Sequence, residues 1–242
     1  MNKRLMFSAA VVMTLLSANA QKRAFTIEDL YRVKGLSSVS LSPDGKTVCY
    51  TASSSDLKNQ KSGSDIYIMN ADGSHTKALT EDGKSSSAVW SKDGKSIFFT
   101  NYEKGTAQIF RMDLTTCETE QVTDYELGIG SPVISPDERY IAFTAEVYPD
   151  LGADAKANKA RMEKKEQGPV QAHIADKLLY RHWTSYNDGR CNHLILFDTQ
   201  TKTYKDLTPG NYSLIFVVGG GITYQFSPDS KEICFVSNHN EH

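Results

Sequence analysis

Ser42-Pro43-Asp44-Gly45-Lys46, Ser91-Lys92-Asp93-Gly94-Lys95, Ser135-Pro136-Asp137-Glu138-Arg139 and Ser227-Pro228-Asp229-Ser230-Lys231 are four copies of one pattern. Proline presets φ at the second position of a β-turn, and Asp and Gly tolerate the backbone angles of the later positions, so each copy predicts a tight turn. The copies start at residues 42, 91, 135 and 227, at intervals of 49, 44 and 92, the last being about two periods. Periods in the forties with several strands apiece predict propeller blades.

Alignment of the copies extends the unit in both directions. Leu41, Trp90, Ile134 and Phe226 precede the repeat serines and are expected to end a first, core-facing strand. Second strands are expected at 47–51, 96–100, 140–144 and 232–236. They are apolar on both faces, which excludes a sheet with one wet face and fits blades stacked on both sides. Third strands are expected at 65–69, 108–112 and 193–197, with short fourth strands ending Leu79-Thr80, Val122-Thr123 and Leu207-Thr208. The predicted fold is all-β, an incomplete β-propeller of four-stranded antiparallel blades at about 36–83, 84–127 and 128–210, with a half blade at 211–242.

Two segments lie outside the repeat. Thr26-Ile27-Glu28-Asp29-Leu30-Tyr31, in a lead-in over 21–35, reads as a short helix with Thr26 as N-cap and acidic residues in its first turn. The other is an insertion over 146–190 in the third blade. Its first half, 154–167, carries five basic and three acidic residues among strong helix formers, and reads as a solvated helix or a mobile loop. Its second half, Leu178-Leu179-Tyr180-Arg181-His182-Trp183-Thr184-Ser185-Tyr186-Asn187-Asp188-Gly189-Arg190, is dense in aromatic and hydrogen-bonding side chains.

Across 242 residues, 39% are apolar and 23% charged, with a formal net charge of −2, so nothing draws the chain in bulk to nucleic acid or an anionic membrane. Lys3 and Arg4, the apolar run 5–16 and Ala18-Asn19-Ala20 have the layout of a cleavable signal peptide over 1–20. The run is too short to span a bilayer comfortably, so a periplasmic or secreted protein, free of the membrane after cleavage, is expected. Four cysteines in an oxidising compartment invite a disulfide reading. Cys49 and Cys234, however, sit seven residues after their repeat serines, where the other copies carry Phe98 and Ala142. Both are expected to be buried free thiols, while Cys117 and Cys191 stay undecided.

A search for catalytic chemistry finds no G-x-S-x-G elbow, no H-E-x-x-H and no C-x-x-C, and the six histidines are scattered. Neither a catalytic residue, a metal ligand nor a cofactor site is therefore assigned. Gly-Lys-Ser/Thr at 45, 83 and 94 lacks the glycine a phosphate loop needs five residues earlier. One constellation remains: Tyr180, Arg181, His182, Trp183 and Tyr186 read either as an aromatic-walled pocket for a peptide end or as packing in a strand.

The entry segment Thr26-Ile27-Glu28-Asp29-Leu30, the Ser-Pro-Asp-Gly-Lys blades and above all Leu179-Tyr180-Arg181-His182-Trp183 resemble the N-terminal propeller of secreted bacterial prolyl oligopeptidase family serine peptidases. The likeness is greatest to the dipeptidyl peptidase V and acylaminoacyl-peptidase branch. It implies a propeller that gates and lines the substrate cavity of a C-terminal α/β-hydrolase, which would supply the Ser, Asp and His triad. This chain stops at His242 in the fourth blade, so it is expected to be the propeller portion alone, inactive without its hydrolase partner. The peptide substrate would be held by Tyr180, Arg181, His182, Trp183 and Tyr186. Thr184 and Ser185 stand where dipeptidyl peptidases of this branch often place acidic residues, which leaves dipeptide against acyl-aminoacyl release open, with Asp188 as a substitute carboxylate. A non-enzymatic TolB-like propeller that binds a protein partner is the alternative.

Overall fold

Each Ser-x-Asp turn is closed by the same side-chain hydrogen bonds. In the first, Ser42 Oγ donates to Asp44 Oδ1 at 2.7 Å and accepts the Thr47 N–H at 2.9 Å, while Asp44 Oδ1 accepts the Lys46 N–H at 3.1 Å. The serine-to-aspartate bonds recur at 2.7, 2.6 and 2.7 Å in the turns at Ser91, Ser135 and Ser227. These hydroxyls satisfy donors that a hairpin would otherwise leave to water. The fourth residue of every turn is left-handed, with φ of +72° at Gly45, +69° at Gly94, +61° at Glu138 and +62° at Ser230.

The computed structural model describes residues 23–170, 172–173, 181–182, 184–214 and 223–237. The expected signal peptide, Tyr180 and Trp183 lie outside the described residues. The described residues fall into two compact units, one of 23–34 with 54–62 and the other of 35–53 with the described residues from 63 onward. In the first, helix α1 (Ile27–Arg32) follows Thr26, whose N–H donates to Asp29 Oδ2 at 2.9 Å. Arg23 pairs with the same carboxylate and, with the Thr26 N–H, holds it well below the usual range.

In the second unit the described strands form three four-stranded antiparallel sheets and two two-stranded ones, a partial β-propeller. The first sheet is β1 (Gly35–Leu41), β2 (Thr47–Asp56), β3 (Lys61–Asn70) and β4 (Lys77–Ala78), in that order. The outer ends of β2 and β3 belong to the first unit. The second sheet is β5 (Ser85–Trp90), β6 (Ser96–Asn101), β7 (Gln108–Asp113) and β8 (Thr119–Gln121). The third begins with β9 (Gly130–Ile134) and β10 (Tyr140–Val147); helix α2 (Ala155–Glu166) and the hairpin β11 (Arg181–His182) and β12 (Ser185–Tyr186) intervene before β13 (Cys191–Asp198) and β14 (Thr203–Asp206). β15 (Tyr224–Phe226) and β16 (Ile233–Phe235) make a two-stranded sheet that follows the third.

Register decides which face of each sheet meets which neighbour. Leu41 lies opposite Val48, Trp90 opposite Ile97, Ile134 opposite Ile141 and Phe226 opposite Ile233, and directly opposed residues share a face. Ile97 packs with Cys49 and Ile66 of the first sheet, Ile141 with Phe98 and Ile109 of the second, and Phe226 with Ala142 and Leu194 of the third. The face bearing the residue before the repeat serine therefore meets the preceding sheet. The alternate face, with Cys49, Phe98 and Ala142, meets the following one.

This rule corrects two expectations. Leu41 is 57% exposed rather than core, because no described sheet precedes the first. Cys234 is exposed rather than buried, because its face of β16 is the one a following sheet would cover, whereas Cys49 is buried as expected. For the same reason β16 is not covered on both faces, unlike β6, whose six residues are all buried.

Candidate functional site

The insertion in the third sheet is bolted to its base before it reaches the aromatic segment. Asp154 Oδ1 accepts the Ala157 N–H at 3.0 Å and caps α2. Asn158, fully buried, accepts the Tyr148 N–H at 2.7 Å and donates to the Gly152 and Asp154 carbonyls at 3.0 and 2.8 Å. Arg161 grips Asp150 with both terminal nitrogens at 2.7 and 2.6 Å and lies 4.7 Å over the Tyr148 ring. The charged segment is thus a helix, anchored on its sheet-facing side by a buried amide and a bidentate ion pair.

Beyond the helix, Arg181 is directly opposite Tyr186 and His182 opposite Ser185 in the β11–β12 hairpin. The Arg181 guanidinium stands 5.9 Å from the Tyr186 ring centroid. His173 stacks on that ring at 3.9 Å with planes 4° apart. Tyr186 remains 40% exposed, so a planar or cationic guest has ring surface to meet. Of the five residues expected to hold a peptide, two, Arg181 and Tyr186, are brought together. His182 is placed by its backbone pairing, and Tyr180 and Trp183 lie outside the described residues.

The base of this hairpin carries the charges. Arg190 bonds Asp188 through Nε at 3.1 and 2.9 Å and Glu146 through Nη1 at 3.2 Å, and Lys165 Nζ donates to the Asp188 carbonyl at 3.2 Å. Both Asp188 oxygens are thereby turned to Arg190, so Asp188 is not the free carboxylate that an ammonium would need. His173 and the Arg190 cluster escaped sequence reasoning. His173 is remote from Tyr186 along the chain, and Glu146 reaches Arg190 only because β10 and β13 pair Glu146 with Asn192.

A histidine with a catalytic look lies beneath. His193, fully buried, has Nδ1 2.7 Å from Asp206 Oδ2 and Nε2 2.9 Å from the Gly210 carbonyl. Both partners accept, so both ring nitrogens donate and the imidazole is a cation with no free base. Burial opposes that charge, but bonding to Asp206, Cys191 and Gly210 outweighs it and the pKa is pushed up to about 9. Its role is repeated in the other sheets. Asp65 accepts the Gly83 N–H at 3.0 Å, and Gln108 donates to the Tyr125 carbonyl at 2.7 Å, each reaching from a third strand to the connection that leads to the next sheet. In all three sheets the residue following this brace donates its N–H to a threonine, Thr80, Thr123 or Thr208, at 3.0, 2.9 and 2.9 Å. His193 is therefore a brace, and the aromatic and cationic surface of the hairpin is the candidate binding site.

The profile of the TolB beta propeller domain matches residues 14–167. Dipeptidyl-peptidase 5 of Porphyromonas gingivalis is 29% identical, over 98% of this chain and 35% of its own length. The protein of that name from Porphyromonas endodontalis is 28% identical, over 69% of this chain and 23% of its own. This chain thus spans about a third or less of the curated relatives it matches here. The fold is similar to that of Pyrococcus horikoshii acylaminoacyl peptidase, with a TM-score of 0.57 at 18% identity over 76% of this chain and 26% of that one. These relatives carry the peptidase names that the sequence resemblance implied. With the profile matched over more than half of its length, the chain belongs to the TolB beta propeller domain family.

Proposed function

We propose that this chain is the propeller portion of an exported serine peptidase of the prolyl oligopeptidase family, gating and lining the cavity in which oligopeptides lose dipeptides or acylated residues. The observation that carries this reading is likeness to a dipeptidyl-peptidase 5 over 98% of the chain. The exposed Arg181, His173 and Tyr186 set supports it, since stacked aromatics beside a guanidinium suit a peptide end. The catalytic triad would come from a hydrolase domain elsewhere in the full-length protein.

The test uses that full-length protein. It should release dipeptides or acylated residues from chromogenic peptides and be labelled at one serine by a fluorophosphonate. Tyr186→Ala should raise KM for these substrates about 2- to 13-fold, the loss expected for a ring contact of about 0.5–1.5 kcal/mol, with kcat nearly unchanged. An unchanged KM would reduce Tyr186 to packing. The match to the TolB propeller profile favours a second reading, a non-enzymatic propeller that binds a protein partner. Absence of hydrolysis and of fluorophosphonate labelling in the full-length protein would select it.

A further inference from the structure

The fourth residue of the Ser-x-Asp turn meets the turn of the preceding sheet, and it does so differently at each junction. Glu138 Oε1 accepts the N–H of Lys92 at 2.5 Å, and Ser230 Oγ accepts the N–H of Asp137 at 3.1 Å. Between the first and second sheets the fourth residue is Gly94, which has no side chain to send across. A Cβ on it would stand 3.4 Å from Cδ of Pro43. Lys92 occupies the position that is proline in the other three copies, and proline has no N–H to donate. The donor at the second junction thus exists because lysine replaces proline, and the acceptor because glutamate replaces glycine.

The backbone makes those replacements informative. Glu138 and Ser230 hold φ of +61° and +62°, a conformation for which glycine is the default residue. The disfavoured residue types stand where a side chain crosses to the next turn, and glycine stands where none does. A cleft of about 440 Å³ lies at the first junction, bordered by Pro43, Asp44, Trp90, Asp93, Gly94 and Leu114. The first two sheets are tied elsewhere, through Trp90 Nε1 to the Ser40 carbonyl at 3.3 Å and the Ser87 N–H to Thr51 Oγ1 at 3.1 Å.

We propose that Glu138 and Ser230 are blade-to-blade clasps, and that the Gly94–Pro43 junction is the place among the described residues where the row of turns is free to part. The cleft beside Trp90 is then the opening that a missing clasp leaves. This inference does not depend on the peptidase reading.

Amide exchange in the whole chain tests the clasps. Glu138→Gly suits the left-handed backbone, as Gly45 and Gly94 do, but removes the acceptor, so the Lys92 amide should exchange roughly tenfold faster. Glu138→Gln keeps an acceptor oxygen and should keep the protection. Ser230→Gly should release the Asp137 amide in the same way. Protection of Lys92 that is equal in the wild type and Glu138→Gly overturns the clasp.

Transplantation tests the free junction. Trp183→Phe leaves Trp90 as the sole tryptophan of a chain that has two. In that background, Pro43→Lys with Gly94→Glu installs the donor and acceptor of the second junction at the first. Acrylamide quenching of Trp90 should fall about twofold as the rim is held shut, while Gly94→Glu alone, lacking the donor, should leave it at the parent value. Quenching unchanged in the double replacement overturns the proposal that this junction opens.

Discussion

Cys49 and Cys234 occupy the same place in the repeat, yet the first is fully buried and the second exposed. Their local sequences are alike: each sits in the second strand after a Ser-Pro-Asp turn, pointing to the face that meets the following sheet. Ala88, Ile97 and Met112 of the second sheet share a core with Cys49. The β15–β16 sheet has no described neighbour on the side of Cys234. The difference teaches that the repeat encodes strand, register and face, whereas burial is a property of the next sheet along.

Thiol chemistry should separate the pair most widely. Burial pushes the Cys49 thiol up to about 12, so it is neither ionised nor reachable at neutral pH without opening of the sheet stack. Cys234 needs no such opening. Under native conditions a thiol reagent should modify Cys234 about a thousandfold or more faster than Cys49, the factor set by the free energy of opening. Comparable rates, read by mass spectrometry of the intact chain, would break the comparison.

Core truncation should add a second contrast, in stability, on the face that meets the preceding sheet. Phe143 and Phe235 both lie eight residues after their repeat serines, fully buried and 38% exposed respectively. Phe143 packs edge-on against Tyr125 at 5.2 Å within an aromatic group that includes Tyr204 and Phe197. Phe143→Ala should cost about 3–5 kcal/mol in chemical denaturation, and Phe235→Ala less than about 1 kcal/mol.

The braces sharpen the comparison, because the three sheets solve one problem with Asp65, Gln108 and His193, and only the last holds a titrating cation. His193→Gln leaves the nearly buried Asp206 carboxylate without its partner and should cost about 2–4 kcal/mol at pH 6. The folded pKa of about 9 is raised above the unfolded value of about 6.5. Its stabilisation is therefore complete below about pH 6.5 and lost as pH climbs to about 9. Urea midpoints should show the gap between wild type and His193→Gln closing over that window. A gap that stays constant with pH would mean that His193 is held neutral.

Much of this was legible in the residues. Turn chemistry fixed where the chain reverses, and the apolar runs after Ser42, Ser91 and Ser135 mark the middle strands. The candidate site was legible only as composition. Arg181 and Tyr186 meet through a hairpin register that their spacing permits, but His173 reaches the same ring from outside the hairpin. Asp188 looked available because nothing local announces that Arg190, two residues on, turns back to it while also reaching Glu146 across the sheet. Leu41 and Cys234 read as core because strand periodicity reports a face and carries no information on whether another sheet lies against it.

That limit yields the smallest expected effect. Leu41, 57% exposed, and Phe226, 6% exposed, both stand immediately before their repeat serines on the face that meets a preceding sheet. Phe226→Ser removes a side chain packed against Ala142 and Leu194 and puts a hydroxyl in its place, so a loss of about 3–5 kcal/mol is expected. Leu41→Ser removes a group already in water, and its effect should stay within about 0.5 kcal/mol. Measured in the full-length protein, a loss for Leu41→Ser close to that for Phe226→Ser would mean that another sheet covers Leu41 there. The apolar row Leu36, Val39 and Leu41 would then be an interior blade face rather than a surface.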